Sequence, residues 1–439
     1  MAYNDSRHAA ARLYRRLRLN WIFTTSTFAG NFLLALFITY FFRQLGYDDG
    51  VNYVFFMALL AIGLWVTEAI PPFAVGIFLI AGLLVGFSTD FILDGFYTPV
   101  DVYLGTWTSN VIWLLLGGFF LAEAMSIVYL DRKLYQFTIR RFGAKPDRLL
   151  LGLMLTTAVG SMVMSNTATT AMMISSILPL AKGLGKQHPY TIALLIGIPA
   201  AATLGGMGTI IGSTPNAIAV GALQERGISI TFVEWMAFGL PTGLLSVYFF
   251  WRFLVWKFEL KQMEVALGSL QEESREVSRF EVNAVLFTLI VTVSMWLSEP
   301  LHGIPVAATS AIPIVLLTLF QVIKAEHVRR LPWDTLMLVA GGLALGIAMV
   351  DVGLTSIIME ELDKLPIPIF GVVIVFSLLS VLISNVMSNT AAAAILVPLG
   401  LSLPGSFGVA VPLIVALSCS CACSCPFPRR QMPSPSLQE

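Results

Sequence analysis

The chain has 439 residues, of which 57% are hydrophobic and only 12% charged, and its mean hydropathy is +0.82. A soluble domain carries about 25% charged residues, so a soluble globular protein is excluded and a polytopic membrane protein is expected. The 26 basic and 26 acidic residues cancel, which leaves no basic surface for nucleic acid. All four cysteines crowd the tail, at Cys419, Cys421, Cys423 and Cys425, so no disulfide framework spans the chain.

In chain order, residues 1–26 read as a cytoplasmic arm: Arg7, Arg12, Arg15, Arg16 and Arg18 precede an apolar run without a small-residue cleavage site. The first half covers 27–256. Windows of span length fall at 27–42, 51–70, 73–88 and 109–128. A stretch at 149–180 is too long for one helix, a glycine-rich one follows at 190–222, and another runs over 230–256. A charged cytoplasmic linker, 257–281, leads to the second half, 282–422. Its windows are 282–299, 306–323 and 334–353, then a long stretch at 367–403 and a last apolar start at 408–422. A tail of different composition occupies 423–439.

Both long stretches carry the same tripeptide, Ser165-Asn166-Thr167 and Ser388-Asn389-Thr390. Ser161 and Ser384 each lie four residues before the tripeptide serine. Consecutive small polar residues in hydrocarbon are costly unless satisfied. The alternative to a site is polar packing between helices, usual for isolated Ser or Thr; duplication argues against it. Basic residues decide the topology. If 149–180 crosses once, Lys182, Lys186, Lys257, Lys261, Arg329 and Arg330 all face outside. If it enters and returns as a hairpin, they stay inside with Arg132, Lys133, Arg140 and Arg141. The hairpin is therefore expected, with its tip at Ser165-Asn166-Thr167, and parity puts the second hairpin, 367–403, on the opposite face. Further matches support a repeat: Trp65-Val66-Thr67-Glu68 with Trp296-Leu297-Ser298-Glu299, and WLLLGGFFLAEAM (113–125) with LMLVAGGLALGIAM (336–349). The expected fold class is an all-α polytopic membrane protein, an inverted repeat with two re-entrant hairpins and broken transmembrane helices, as in secondary transporters.

A hairpin tip exposes N–H groups at one helix start, which attract anions, and carbonyls at another helix end, which bind cations. Ser, Asn and Thr add neutral oxygens suited to a small hard cation. Downstream, Gly205, Gly206, Gly208 and Gly212 lead into Ser213-Thr214-Pro215-Asn216, which cannot be an uninterrupted helix. Such a break is tolerated in a membrane where it is buried or lines a site; a simple kink is the alternative, and no Lys-Ser/Thr follows to make a phosphate loop. Glu68, Glu123, Glu299 and Asp351 fall in or near apolar segments and are read as structural or interfacial.

The paired Ser-Asn-Thr hairpins and the Gly-Ser-Thr-Pro-Asn break resemble the divalent anion/sodium symporter family, over residues from about 50 to 422. The resemblance implies a homodimer in which a transport domain moves against a scaffold as an elevator. It implies no cofactor beyond sodium as the coupling ion. It places one sodium site at Ser161, Ser165, Asn166 and the Gly212 backbone, and a second at Ser384, Ser388 and Asn389 with a later segment. It gives substrate carboxylates to Asn166, Thr167, Ser213 and Thr214 on one side and to Asn389 and Thr390 on the other. Many members carry Pro-Pro before the Asn, where this chain has Thr214-Pro215. The family also requires a second broken helix after the second hairpin. This chain instead ends in ALSCSCACSCPFPRRQMPSPSLQE, a possible Cys-x-Cys metal tract. Codons for Pro426 to Ser436 can be chosen that read Ile-Ser-Thr-Pro-Pro-Asn-Ala-Ile-Thr-Phe in the neighbouring frame. A one-base deletion near the Ala422 codon is thus expected, with a product that folds poorly or transports little.

The functional expectation is sodium-coupled symport of succinate-like di- and tricarboxylates by a multi-pass protein of a bacterial inner membrane. An anion exchanger, a proton-coupled or sulfate carrier, and a non-transporting truncated product are the alternatives. An intramembrane enzyme would need a nucleophile–base pair or metal ligands converging, and no such set is legible.

Overall fold

The computed structural model describes residues 19–89, 92–93, 97–130, 134, 137–138, 141–143, 145–262, 278–364, 368–403 and 405–422. Most of the basic arm, residues 263–277 of the linker, and the tail 423–439 with its expected frameshift lie outside the described residues. Every regular element among those described is helical. Seven helical segments are long and apolar enough to cross a membrane, so the protein is an all-α polytopic membrane protein.

The longer helices of the first half are α1 (Leu19–Arg43), α2 (Asp49–Thr67), α3 (Pro72–Phe87), α4 (Asn110–Ile127), α5 (Pro146–Ser161), α6 (Asn166–Leu184), α7 (Pro189–Gly206), α8 (Thr214–Gln224) and α9 (Phe232–Lys257). Those of the second half are α10 (Arg279–Leu297), α11 (Ala311–Leu319), α12 (Trp333–Asp351), α13 (Leu354–Asp363), α14 (Ile369–Val386), α15 (Asn389–Leu401) and α16 (Phe407–Ser420). Helix α1 includes residues 19–26 of the stretch assigned to the arm. It is almost wholly exposed, Phe23 at 63% and Leu33 at 64%, a surface that belongs against lipid rather than water.

The two halves pack by the same devices. Helix α2 in the first half and α10 in the second each end in a buried tryptophan followed by a proline-bearing turn. Trp65 Nε1 donates to Pro72 O at 3.3 Å, and Trp296 Nε1 donates to Ser310 Oγ at 3.2 Å. Each half's Gly-Gly pair then lets one of its helices meet a helix of the other half closely. A Cβ on Gly341 of α12 would stand 2.2 Å from Gly76 Cα of α3, and one on Gly117 of α4 would stand 2.7 Å from Ser310 O, at the start of α11. Any larger residue would force these helices apart, so α3–α12 and α4–α11 form an interlocked bundle. A second apolar core, around Leu153, Ile177, Leu194, Ile198 and Val247, holds α5, α6, α7 and α9 together.

Six helices begin or end at breaks at the two tripeptides or in the glycine-rich run. Helix α5 stops at Ser161 and α6 resumes at Asn166; α14 stops at Val386 and α15 resumes at Asn389; α7 stops at Gly206 and α8 resumes at Thr214. The 11-residue α8 rises about 16 Å, half of the roughly 30 Å core of a bilayer.

Candidate functional site

The two tripeptides adopt the same local structure. Ser165 is the N-cap of α6, with φ −64° and ψ 145°, and accepts from Ala168 N at 3.2 Å. Ser388 is the N-cap of α15, with φ −67° and ψ 147°, and accepts from Ala391 N at 3.2 Å. These side chains satisfy helix-start N–H groups that no intrahelical carbonyl can reach. Both serines therefore face their own helix starts, with their hydroxyls engaged as caps.

The preceding serine and the asparagine form the core of each cluster. Ser161 Oγ lies 2.6 Å from the Asn166 carboxamide, and Ser384 Oγ 2.7 Å from Asn389 Oδ1. The Asn166 carboxamide also meets the carbonyl oxygens of Gly212 and Ala202, each at 3.1 Å, and donates to them when its nitrogen faces them. In the second cluster Ser384 Oγ donates to Cys419 O at 3.1 Å. Ser161 and Ser384 are buried, at 0% and 5% exposure.

Glycine is required at the first cluster. A Cβ on Gly206 would fall 2.5 Å from Asn166 Oδ1 and 2.7 Å from Gly212 O; one on Gly212 would fall 2.7 Å from Gly206 O and 2.9 Å from Ser161 O. Backbone oxygens of residues 161, 206 and 212 thus converge with the Ser161 and Asn166 side chains. That donor set, neutral and all oxygen, suits a hard monovalent or divalent cation. Turning the Asn166 amide would present its oxygen in place of its nitrogen.

The break between α7 and α8, residues 207–213, is buried throughout, so its polar groups need partners. Asn216 Nδ2 donates to Gly206 O at 3.0 Å and to Thr209 O at 2.8 Å; Trp235 Nε1 donates to Met207 O at 2.9 Å. Thr209 Oγ1 accepts from Gly212 N at 3.0 Å and donates to Met162 O in the first tripeptide's turn. Ser213 Oγ meets Ser420 Oγ at 2.9 Å, joining this break to the end of α16.

Thr167 is exposed and lines an open cleft of about 320 Å³ with Asn166, Thr170, Pro199 and Thr203. Thr214 and Thr390 are half-buried at the starts of α8 and α15. The structure thus gathers Ser161, Asn166 and Gly212 into one cluster and Ser384 and Asn389 into another, and sets Ser213 between them. It links none of Thr167, Thr214 and Thr390 to the other candidates by a side-chain hydrogen bond. Thr209, Ser420, and the carbonyls of Ala202 and Cys419 were not anticipated. Thr209 carried a faint signal, as a lone hydroxyl inside the glycine-rich run; backbone carbonyls carry none.

Among the acids, Glu68 ends α2 with φ 50°. Glu299 follows α10; burial holds its carboxyl above the usual carboxylate range, against the opposing pull of the backbone N–H groups of Val306 and Phe232 and of nearby His302. Asp351 lines a separate cavity of about 160 Å³ with Glu225 and Arg226. Among the described residues, no Asp, Glu, Lys or Arg takes part in the hydrogen bonds of either serine–asparagine cluster.

Fold and site together define a polytopic membrane protein with buried helix breaks and two matched clusters of neutral oxygens. Residues 54–420 match the citrate transporter family, and the chain belongs to that family. It is a transporter of the divalent anion/sodium symporter type rather than an enzyme. It is 28% identical over 386 residues to the sodium-dependent dicarboxylate transporter SdcS of Staphylococcus saprophyticus, covering 80% of this chain and 72% of that one. It is 28% identical over 422 residues to SdcS of Staphylococcus aureus (strain bovine RF122), covering 88% and 79%. The inorganic phosphate transporter PHO87 of Saccharomyces cerevisiae is 28% identical over 348 residues, covering 76% of this chain and 37% of that one.

Proposed function

We propose that the protein is a sodium-coupled symporter of small di- and tricarboxylates, succinate-like in size and charge, working as an elevator in a bacterial inner membrane. The observation that carries this reading is the pair of serine–asparagine clusters, all neutral oxygen, at helix breaks in a protein whose relatives include sodium-dependent dicarboxylate transporters. Ser161, Asn166 and the Gly212 carbonyl would hold one sodium ion; Ser384, Asn389 and the Cys419 carbonyl would hold the other. Ser165 and Ser388 would support these sites by fixing the helix starts.

Among the described residues the clusters hold no Lys or Arg to neutralise a dianion. Its charge would be balanced by the bound ions and by the N-termini of α6, α8 and α15, whose N–H groups carry partial positive charge. Thr167, Thr214 and Thr390, with hydroxyls uncommitted to other candidates, would join Asn166, Asn389 and Ser213 in meeting the carboxylates. Helix pairs α5–α6 and α14–α15 would be re-entrant hairpins entering from opposite faces, with the body around α5, α6, α7 and α9 sliding past the interlocked α3–α12 and α4–α11 bundle. A homodimer would anchor that bundle.

Uptake into proteoliposomes tests this. Radiolabelled succinate, citrate, sulfate and phosphate are offered with an inward sodium gradient, with choline in its place, and with a proton gradient alone. Succinate accumulation that needs the sodium gradient is expected. Accumulation driven by protons or by counter-anion without sodium, a preference for sulfate or phosphate, or no accumulation of any of the four, rejects it.

A further inference from the structure

Three serines occupy N-cap positions at the helix breaks, and one behaves differently. Ser165 and Ser388 cap their own helices, as serine at that position normally does. Ser213, N-cap of α8 with φ −144° and ψ 132°, makes no side-chain capping bond. Its hydroxyl reaches across the molecule to Ser420 Oγ, 2.9 Å away and 207 residues later in the chain. Both residues are buried, Ser213 at 5% exposure and Ser420 at 0%, so water does not substitute for either partner.

What lies on each side of this pair gives it meaning. Ser213 follows Gly212, whose carbonyl is 3.1 Å from the Asn166 carboxamide. Ser420 follows Cys419, whose carbonyl accepts from Ser384 at 3.1 Å, and Ser384 is bonded to Asn389. One peptide link on either side of a single hydroxyl contact therefore connects the two serine–asparagine clusters. A cation in the first cluster would draw the Gly212 carbonyl toward itself and reorient the Asn166 amide. The Gly212–Ser213 peptide must tilt with that carbonyl, and the Ser213 hydroxyl moves with it.

We propose that Ser213 and Ser420 are positioning residues that couple the two cation sites, so that occupancy of one orders the carbonyl of the other. This rests on the sodium reading above. It extends that reading by naming the contact through which two ions bind cooperatively. Coupling between sites of this kind commonly changes affinity by about 5- to 150-fold.

The test is the sodium dependence of thermal unfolding of the purified full-length chain in detergent, with choline keeping ionic strength constant. Wild type is compared with Ser420→Ala, Ser420→Thr and the double variant S213A/S420A. The double variant removes both partners and leaves no orphaned hydroxyl, so it folds even where the single alanine does not. Wild type should respond to sodium with a Hill slope well above one and approaching about two. The double variant should fall to a slope near one, with half-saturating sodium raised about 5-fold or more; Ser420→Thr should keep the wild-type slope. A double variant with the wild-type slope overturns the coupling, as does a threonine variant no better than alanine. Wild type stabilised by sodium with a slope of one also overturns the coupling while leaving the sodium reading intact. Wild type indifferent to sodium overturns both.

Discussion

The break at the first tripeptide and the break at the second begin alike and are completed differently. Both carry a serine cap with nearly identical backbone angles and a serine–asparagine pair at 2.6 to 2.7 Å. In the first, a second break follows, and its carbonyls are met by Asn216, Trp235 and the Thr209 hydroxyl network. In the second, the partner among the described residues is the Cys419 carbonyl on α16. A cluster's geometry is thus written locally by the tripeptide, whereas its rigidity comes from side chains that satisfy the neighbouring broken helix. The first cluster should tolerate loss of its supports badly, and the second should respond mainly to loss of its own asparagine.

The largest effect expected from this contrast is at Asn216, which touches neither tripeptide. Asn216→Ala leaves the buried carbonyls of Gly206 and Thr209 without their side-chain donor. Each orphaned acceptor costs about 1–3 kcal/mol, so a loss of about 2–6 kcal/mol is expected in sodium-free unfolding, read as thermal midpoint and membrane yield. A midpoint within a degree or two of wild type would show that the break is held by packing alone.

Next in size is the comparison of the two asparagines. Asn166→Ala strips a donor from the Gly212 and Ala202 carbonyls as well as the Ser161 contact, and about 2–4 kcal/mol is expected. Asn389→Ala removes its contact to Ser384, which still donates to Cys419 O, and about 1 kcal/mol is expected. Both variants should lose sodium-dependent uptake, because each removes an oxygen a cation would need. Equal destabilisation would mean the second cluster has supports equivalent to those of the first.

The tripeptides were legible in the sequence because Ser, Asn and Thr stand out in apolar stretches, and their duplication showed them to be a pair. The break at Gly212–Asn216 was legible because glycine and proline cannot continue a helix there. What could not be read is which oxygens the folded backbone brings to each asparagine. The carbonyls of Ala202 and Cys419 belong to residues whose side chains say nothing of this, and the placing of Ser420 against Ser213 depends on the packing of α16 against α8. The Cys-rich run around Ser420 also drew attention to sulfur, while the cluster uses a carbonyl and a hydroxyl. That residues 19–26 are helical was hidden for a different reason: charge placed the arm's end, and a helix can continue through polar residues once outside hydrocarbon.

The smallest predicted effect tests the repeat away from the site. Trp65→Phe and Trp296→Phe each remove one buried indole donor, to Pro72 O and to Ser310 Oγ respectively. Neither change leaves a hydroxyl idle, because Ser310 Oγ also donates to Val306 O at 2.6 Å. The hydrogen-bond part of the loss is therefore about 1 kcal/mol in each half, with a further cost for the smaller ring. Trp296 also stacks on Phe232, ring centroids 5.4 Å apart, and phenylalanine keeps an aromatic face for that contact. The two variants should then agree to within about 0.5 kcal/mol, and the double variant should equal their sum to the same margin, the two indoles donating to different partners. A large difference between them would mean that the matched tryptophans share a sequence pattern without sharing a structural role. The repeat would then be confined to the helices that carry the tripeptides.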